Sequence, residues 1–268
     1  MPHTLLRSAV ATLVVGCTLA STLQAQTRSI AERLGHPAGS KLVILHADDL
    51  GVAHSEDVAS LESLDRGAVT SASIMMPTPW VTEVAAYAKA HPNHDLGLHL
   101  TLTSEWETYR WGSVESHDKV PSLHDADGTL PREVQTVVAR AKLDEVEREL
   151  RAQIDRALAL GIKPTHLDSH MGTLFASPAL MGVYIKVAHE YHLPFLATLG
   201  ANGARIHPAM TAADIVPDKV IVADENVPRD KWAAFYLDAV RNLEPGLTEI
   251  IVHLGHDDAE LKAVTVGH

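Results

Sequence analysis

Leu42-Val43-Ile44-Leu45-His46-Ala47-Asp48-Asp49-Leu50-Gly51 decides the fold. Branched apolar residues without polar alternation predict a buried parallel strand. The run ends abruptly in two adjacent carboxylates and a glycine. Strand-end acids sit where α/β proteins place their chemistry. Neighbouring carboxylates repel and resist desolvation, so the pair needs a cation, a shared proton or water. The plain alternative is a strand end followed by an Asp-capped helix.

Outward from this strand, the pattern alternates. A helical turn is expected near Ile30 to Leu34, before the strand, and helices at Ser55 to Arg66, Trp80 to Ala90, Arg132 to Leu160, Ser177 to Tyr191 and Arg229 to Leu243. Further strands are expected at Val69 to Met76, Asp95 to Thr101, Thr165 to His170, Pro194 to Leu199, Val220 to Ala223 and Glu249 to His253. Seven strands alternating with helices predict a parallel sheet or barrel. No glycine-rich phosphate loop follows the first strand, which weighs against a nucleotide-binding doubly wound sheet. Polar residues gather after several different strands: Asp48 and Asp49, His99, Asp168 and His170, Asp224, and His253. That distribution suits the carboxyl-end rim of an irregular, seven-stranded (β/α) barrel of the TIM-like type.

Composition narrows the partners. The 268 residues are 46% hydrophobic and carry a formal charge of −12, which permits a substantial core and offers no basic stripe for nucleic acid or an anionic membrane. Residues 1–25 read as a signal peptide, with an apolar run from Ala9 to Leu19 too short to span a bilayer. Residues 26–268 then form one barrel domain of an exported protein, periplasmic or secreted. Val14-Val15-Gly16 before Cys17 also resembles a lipoprotein box, the alternative being a lipid anchor at that residue. Cys17 is the sole cysteine, so no internal disulfide is expected. No later segment reads as a membrane span, and nothing in the sequence indicates an oligomeric state.

His166-Leu167-Asp168-Ser169-His170 places two imidazoles and a carboxylate on one strand face. With His99 and an acid of the Asp pair, these residues supply a ligand set for one divalent ion that leaves positions open for water and substrate. Such an ion acidifies water and polarises a carbonyl. Spacing alone does not decide between Asp48 and Asp49, or between His166 and His170, as ligands. The acid left over is free to act as base, and His253, at another strand end, to protonate a leaving group. A solvated strand end near Asp257 and Asp258 is the plain reading of His253.

Taken together, Ala47-Asp48-Asp49-Leu50-Gly51, Val69-Thr70-Ser71, Gly97-Leu98-His99-Leu100-Thr101-Leu102-Thr103, Thr165-His166-Leu167-Asp168-Ser169-His170 and Val252-His253 resemble the YdjC-type carbohydrate deacetylases, which include chito-oligosaccharide and hopanoid-linked sugar deacetylases. The resemblance implies a barrel-like fold, a metal held by Asp49, His99 and His170, and Asp48 as general base. It implies that His46, His166 and Asp168 orient the ligands and that His253 is an acid or substrate contact. Zinc is favoured by ligand softness, while the family keeps magnesium open. Two departures stand out. Met171-Gly172-Thr173-Leu174-Phe175 occupies a stretch where the family often has further histidines, which weakens the expectation of a chito-oligosaccharide substrate. The chain also stops ten residues after Asp258, where relatives continue through another helix, so a short form with a barrel open at that point is expected.

Residues 102–131 form a long irregular segment with Trp106, Tyr109 and Trp111. Loops of this length are functional or disordered. Its rings suit the apolar faces of a sugar or, equally, a small satellite core. The expected function is metal-dependent removal of N-acetyl groups from an amino sugar or oligosaccharide. Hydrolysis of another amide, ester or phosphoester, or sugar or metal binding without catalysis, are the alternatives.

Overall fold

The computed structural model describes residues 28–200, 204–223 and 226–266. The expected signal peptide, Cys17 and Asp224 lie outside the described residues. Among the described residues no helix is long and apolar enough to cross a membrane.

A short helix α1 (Ile30–Arg33), closed by a reciprocal Ser29–Glu32 capping box, leads into strand β1 (Lys41–Leu50). Next come α2 (His54–Asp65), β2 (Ser71–Ile74), α3 (Val81–Ala90) and β3 (Leu96–Leu100). Beyond a long loop lie α4 (Val134–Arg140), α5 (Leu143–Ala159), β4 (Leu167–Ser169) and α6 (Pro178–Glu190). The chain closes with β5 (Lys219–Val222), α7 (Trp232–Arg241), β6 (Gly246–Val252) and α8 (Ala259–Val264).

The six strands among the described residues are parallel, in the order β4-β3-β2-β1-β6-β5. Strand β1 is therefore central, and its carboxyl end is flanked by the carboxyl ends of β2 and β6. The described residues do not form a closed seven-stranded barrel; the sheet curls into an open half-barrel. The expected strand at Pro194 to Leu199 contributes a single rung, with Leu167 N–H donating to Pro194 and Leu196 N–H to Leu167. Pro194 has no N–H to extend the ladder. Beyond it, Leu199 pairs antiparallel with Arg205 and Gly200 N–H donates to Ala204, so the chain folds on itself instead of reaching β5. The opening thus lies between β5 and residues 194–199, not after β6 as expected. The amino half of β1 is correspondingly half-open, with Val43 exposed and burial beginning at His46.

Instead of one helix from Arg132 to Leu160, α4 and α5 are separated at Ala141 and Lys142, which are both extended. The loop supplies the reason: Lys142 N–H donates to Ser122 Oγ, and Ser122 N–H donates to Glu145. Helix α5 then buries Val146, Leu150, Ile154 and Ala157 against the sheet. Its fully buried Glu149 accepts from the backbone N–H groups of Val114 and Glu115 and from Gln153, pinning the long loop. Glu149→Ala strands those two N–H groups. At about 1–3 kcal/mol per buried unpaired group, and with Val114 and Glu115 only partly buried, denaturant unfolding should show a loss of about 2–4 kcal/mol.

Candidate metal centre

In a regular strand Asp48 and Asp49 would point to opposite faces. Here β1 advances from Ala47 to Leu50 while β2 advances only from Ala72 to Ile74, which makes a bulge. Asp49 adopts φ +65° at that point, a left-handed conformation that Asp tolerates better than most residues. The bulge turns both carboxylates into one cleft. Gly51, with φ +94°, completes the turn where a side chain would meet Thr78 Oγ1. Its N–H donates to buried Asp57, locking the turn onto α2.

Asp49 Oδ1 lies 3.3 Å from His99 Nε2 and 3.1 Å from His170 Nδ1. Strand β3 supplies His99, and His170 opens the short turn after β4. Each imidazole has a second carboxylate behind it. His99 Nδ1 meets Asp168 Oδ1 at 2.6 Å, and His170 Nε2 meets Glu105 Oε2 at 2.9 Å. A neutral imidazole has one N–H. If each ring donates to the carboxylate behind it, its other nitrogen turns a lone pair toward Asp49, so a cation or a second proton must fill the gap. Donor separations of 3.1 and 3.3 Å match those around one ion with bonds of about 2.0–2.2 Å. Asp49, His99 and His170 therefore fit a divalent cation.

Without a cation, the surrounding carboxylates favour that second proton. Burial opposes charge on His170, but Glu105 and Asp49 outweigh it and carry the imidazole up to about 9. Burial likewise opposes charge on His99, and Asp168, Asp49 and Asp48 together hold it well above its ordinary value. Burial alone would raise Asp49, yet the bonds from His170 and His99 hold it well below the usual carboxylate range. Asp48 is pushed up by its own burial and by the charge of Asp49.

Below this layer, Asp168 joins the site to the sheet. Its Oδ2 accepts from Ser73 and lies 3.0 Å from His46 Nε2, while His46 Nδ1 lies 3.0 Å from Ser71 Oγ. His166 sits farther toward the amino end, beside Asp95 and edge-on to His46. Gly97 makes that position available, since a Cβ there would overlap the His166 ring. His46, His166 and Asp168 also form a second ligand group, but both Asp168 oxygens are already engaged, Oδ1 by His99 and Oδ2 by Ser73 and His46.

The cleft has a volume of about 660 Å³ and holds Asp48, Asp49, His99, Asp168, His170 and His253 together. Of the three loop aromatics, only Trp106 lines it. Tyr109 donates to the Val52 carbonyl and Trp111 to the Thr103 carbonyl, and the three rings pack against one another. Sequence reasoning did not single out Glu56 and Glu105, which line the same cleft; Glu56 is pushed up to about 9 by burial and by Asp49. Glu105 was signalled only as an acid shortly after the His99 strand. The far wall is apolar, formed by Met171, Phe175, Ile206, Val220, Val222 and Ile251 among others.

This is the architecture of a parallel α/β protein with a candidate cation centre at the carboxyl ends of its strands. Residues 42–267 match the family model described as YdjC-like protein, and the chain belongs to the YdjC-like family. It is 33% identical over 231 residues to a carbohydrate deacetylase of Thermus thermophilus, covering 84% of this chain and 81% of the relative. A carbohydrate deacetylase of Geobacillus stearothermophilus is 30% identical over 219 residues, 81% of each chain. Among solved structures, a proposed cellobiose-phosphate cleavage protein of Enterococcus faecalis superposes with a TM-score of 0.68 at 27% identity, covering 84% of this chain and 85% of that one.

Carboxylates behind metal-ligating histidines typically tune affinity by about 10–100-fold. Glu105→Gln should therefore weaken zinc binding by about that factor in chelator competition. An unchanged affinity would show that Glu105 does not orient His170.

Proposed function

We propose that this chain is a hydrolase that removes the N-acetyl group of an amino sugar. One observation carries the reading: a cluster fit for a cation, a buried second carboxylate and a half-exposed histidine share one cleft in a chain related to carbohydrate deacetylases. Asp49, His99 and His170 would hold a divalent ion, zinc or magnesium, which supplies carbonyl polarisation and acidification of water. The chain's own groups handle the protons. Asp48, made more basic by burial and by Asp49, takes a proton from the attacking water. His253, whose Nε2 is 3.4 Å from Asp48 Oδ1, gives a proton to the departing amine. Asp168 and Glu105 keep the two imidazoles turned toward Asp49. Trp106 offers a ring to a sugar face.

Among the described residues no Lys or Arg lines the cleft, while Asp48, Asp49, Glu56 and Glu105 do. Apart from a bound cation, a phosphorylated sugar would meet carboxylates there and no Lys or Arg among the described residues. The substrate is therefore read as a neutral acetylated sugar. The signal-like leader supports an exported enzyme.

Acetate release from N-acetylglucosamine and its oligomers by zinc- or magnesium-loaded protein tests this reading. Removing a general base costs about 10²–10⁴-fold, so Asp48→Asn should lower kcat/KM by that range. The 6-phosphate of N-acetylglucosamine should be a poorer substrate than the free sugar. Sugar binding without acetate release, unaltered by Asp48→Asn, would favour a binding protein instead.

A further inference from the structure

Asp49 presents its two oxygens to two different groups of donors. Oδ1 faces His99 and His170, whereas Oδ2 lies 3.9 Å from His253 Nε2. Donor atoms of Asp48, Asp49 and His253 all fall within 4.8 Å of one another. The second group also has a feature that mutual attraction does not explain. Asp48 is 7% exposed, and its Oδ1, the atom facing His253, has no hydrogen-bond partner among the described residues. A buried carboxylate oxygen without a donor is costly. The His253 ring is 3.4 Å away but not aligned to donate. That separation is close to the ligand-to-ligand distance on a tetrahedral ion with bonds of about 2.0–2.2 Å.

We propose that Asp48, Asp49 and His253 form a second divalent-cation site that shares Asp49 with the first, binds more weakly, and inhibits when filled. The weakness follows from the surroundings. His99 and His170 each have a carboxylate behind the ring and are buried, whereas the His253 side chain is half-exposed and has no such partner among the described residues. Carboxylates in that position tighten metal sites. A borderline-soft ion such as zinc suits an imidazole with two carboxylates better than magnesium does. Inhibition follows from the identity of the ligands. A cation here occupies the Asp48 oxygen and the His253 nitrogen that move protons in the proposed reaction. This last step rests on the deacetylase reading; the site itself does not.

The test is zinc titration of the metal-stripped full chain by calorimetry, with bound zinc counted by elemental analysis at limiting and excess metal. Two equivalents are expected, the second at least 100-fold weaker. His253→Gln should remove the second and leave the first, and His170→Gln should remove the first. Thermal melts of both variants check that they fold. Acetate release should rise with the first equivalent and fall at least tenfold with the second. One equivalent only, or a second that survives His253→Gln, overturns the site. A second equivalent that accelerates acetate release overturns the inhibitory role. A His253-dependent second equivalent with no acetate release at any loading supports the site and overturns the deacetylase reading instead.

Discussion

The rest of the site depends on one backbone constraint: Asp49 is held left-handed, at φ +65°, in the bulge that ends β1. Such a conformation costs about 1–3 kcal/mol and persists only where the surroundings over-determine it. Gly51, clamped by Asp57 from α2 and carrying its carbonyl to Trp80 N–H, does that work from one side. His170 and His99 hold the carboxylate from the other. Without the bulge, the Asp pair would straddle the sheet and only one acid would face the cleft.

From that point the architecture is one of paired support. Each histidine that faces Asp49 has a carboxylate behind it, Asp168 for His99 and Glu105 for His170. The two supports differ in origin. Asp168 belongs to the sheet and is tied through His46 to Ser71 and Ser73. Glu105 belongs to the long loop, whose position depends on Glu149 of α5 and on the Trp111 and Tyr109 bonds to backbone carbonyls. Loop order and the orientation of His170 are therefore linked, which gives those buried rings a part in the site without lining the cleft.

Much of this was legible in the sequence because it is local. Buried parallel strands read as apolar runs, and Asp48, Asp49, His99, Asp168 and His170 stand at or beside the ends of three of them. What was not legible was long-range. The sequence at Pro194 to Leu199 has the composition of a strand, but whether it reaches β5 depends on the fold-back of Leu199 onto Arg205. The break at Ala141 and Lys142 depends on Ser122, twenty residues before Lys142 in the chain. Helical periodicity carries straight through it. Glu105 carries no signal beyond being an acid in a loop, and its meaning comes from a histidine 65 residues away. The face on which Asp48 lies was hidden for a related reason, since strand alternation places it opposite Asp49 and only the bulge reverses that.

The most direct measurement is anomalous diffraction at the zinc edge from crystals grown with one equivalent of zinc. The account predicts a single strong peak bounded by Asp49 Oδ1, His99 Nε2 and His170 Nδ1, with Asp168 and Glu105 still bonded to the far nitrogens. A peak among His46, His166 and Asp168, or none within the cleft, would contradict it.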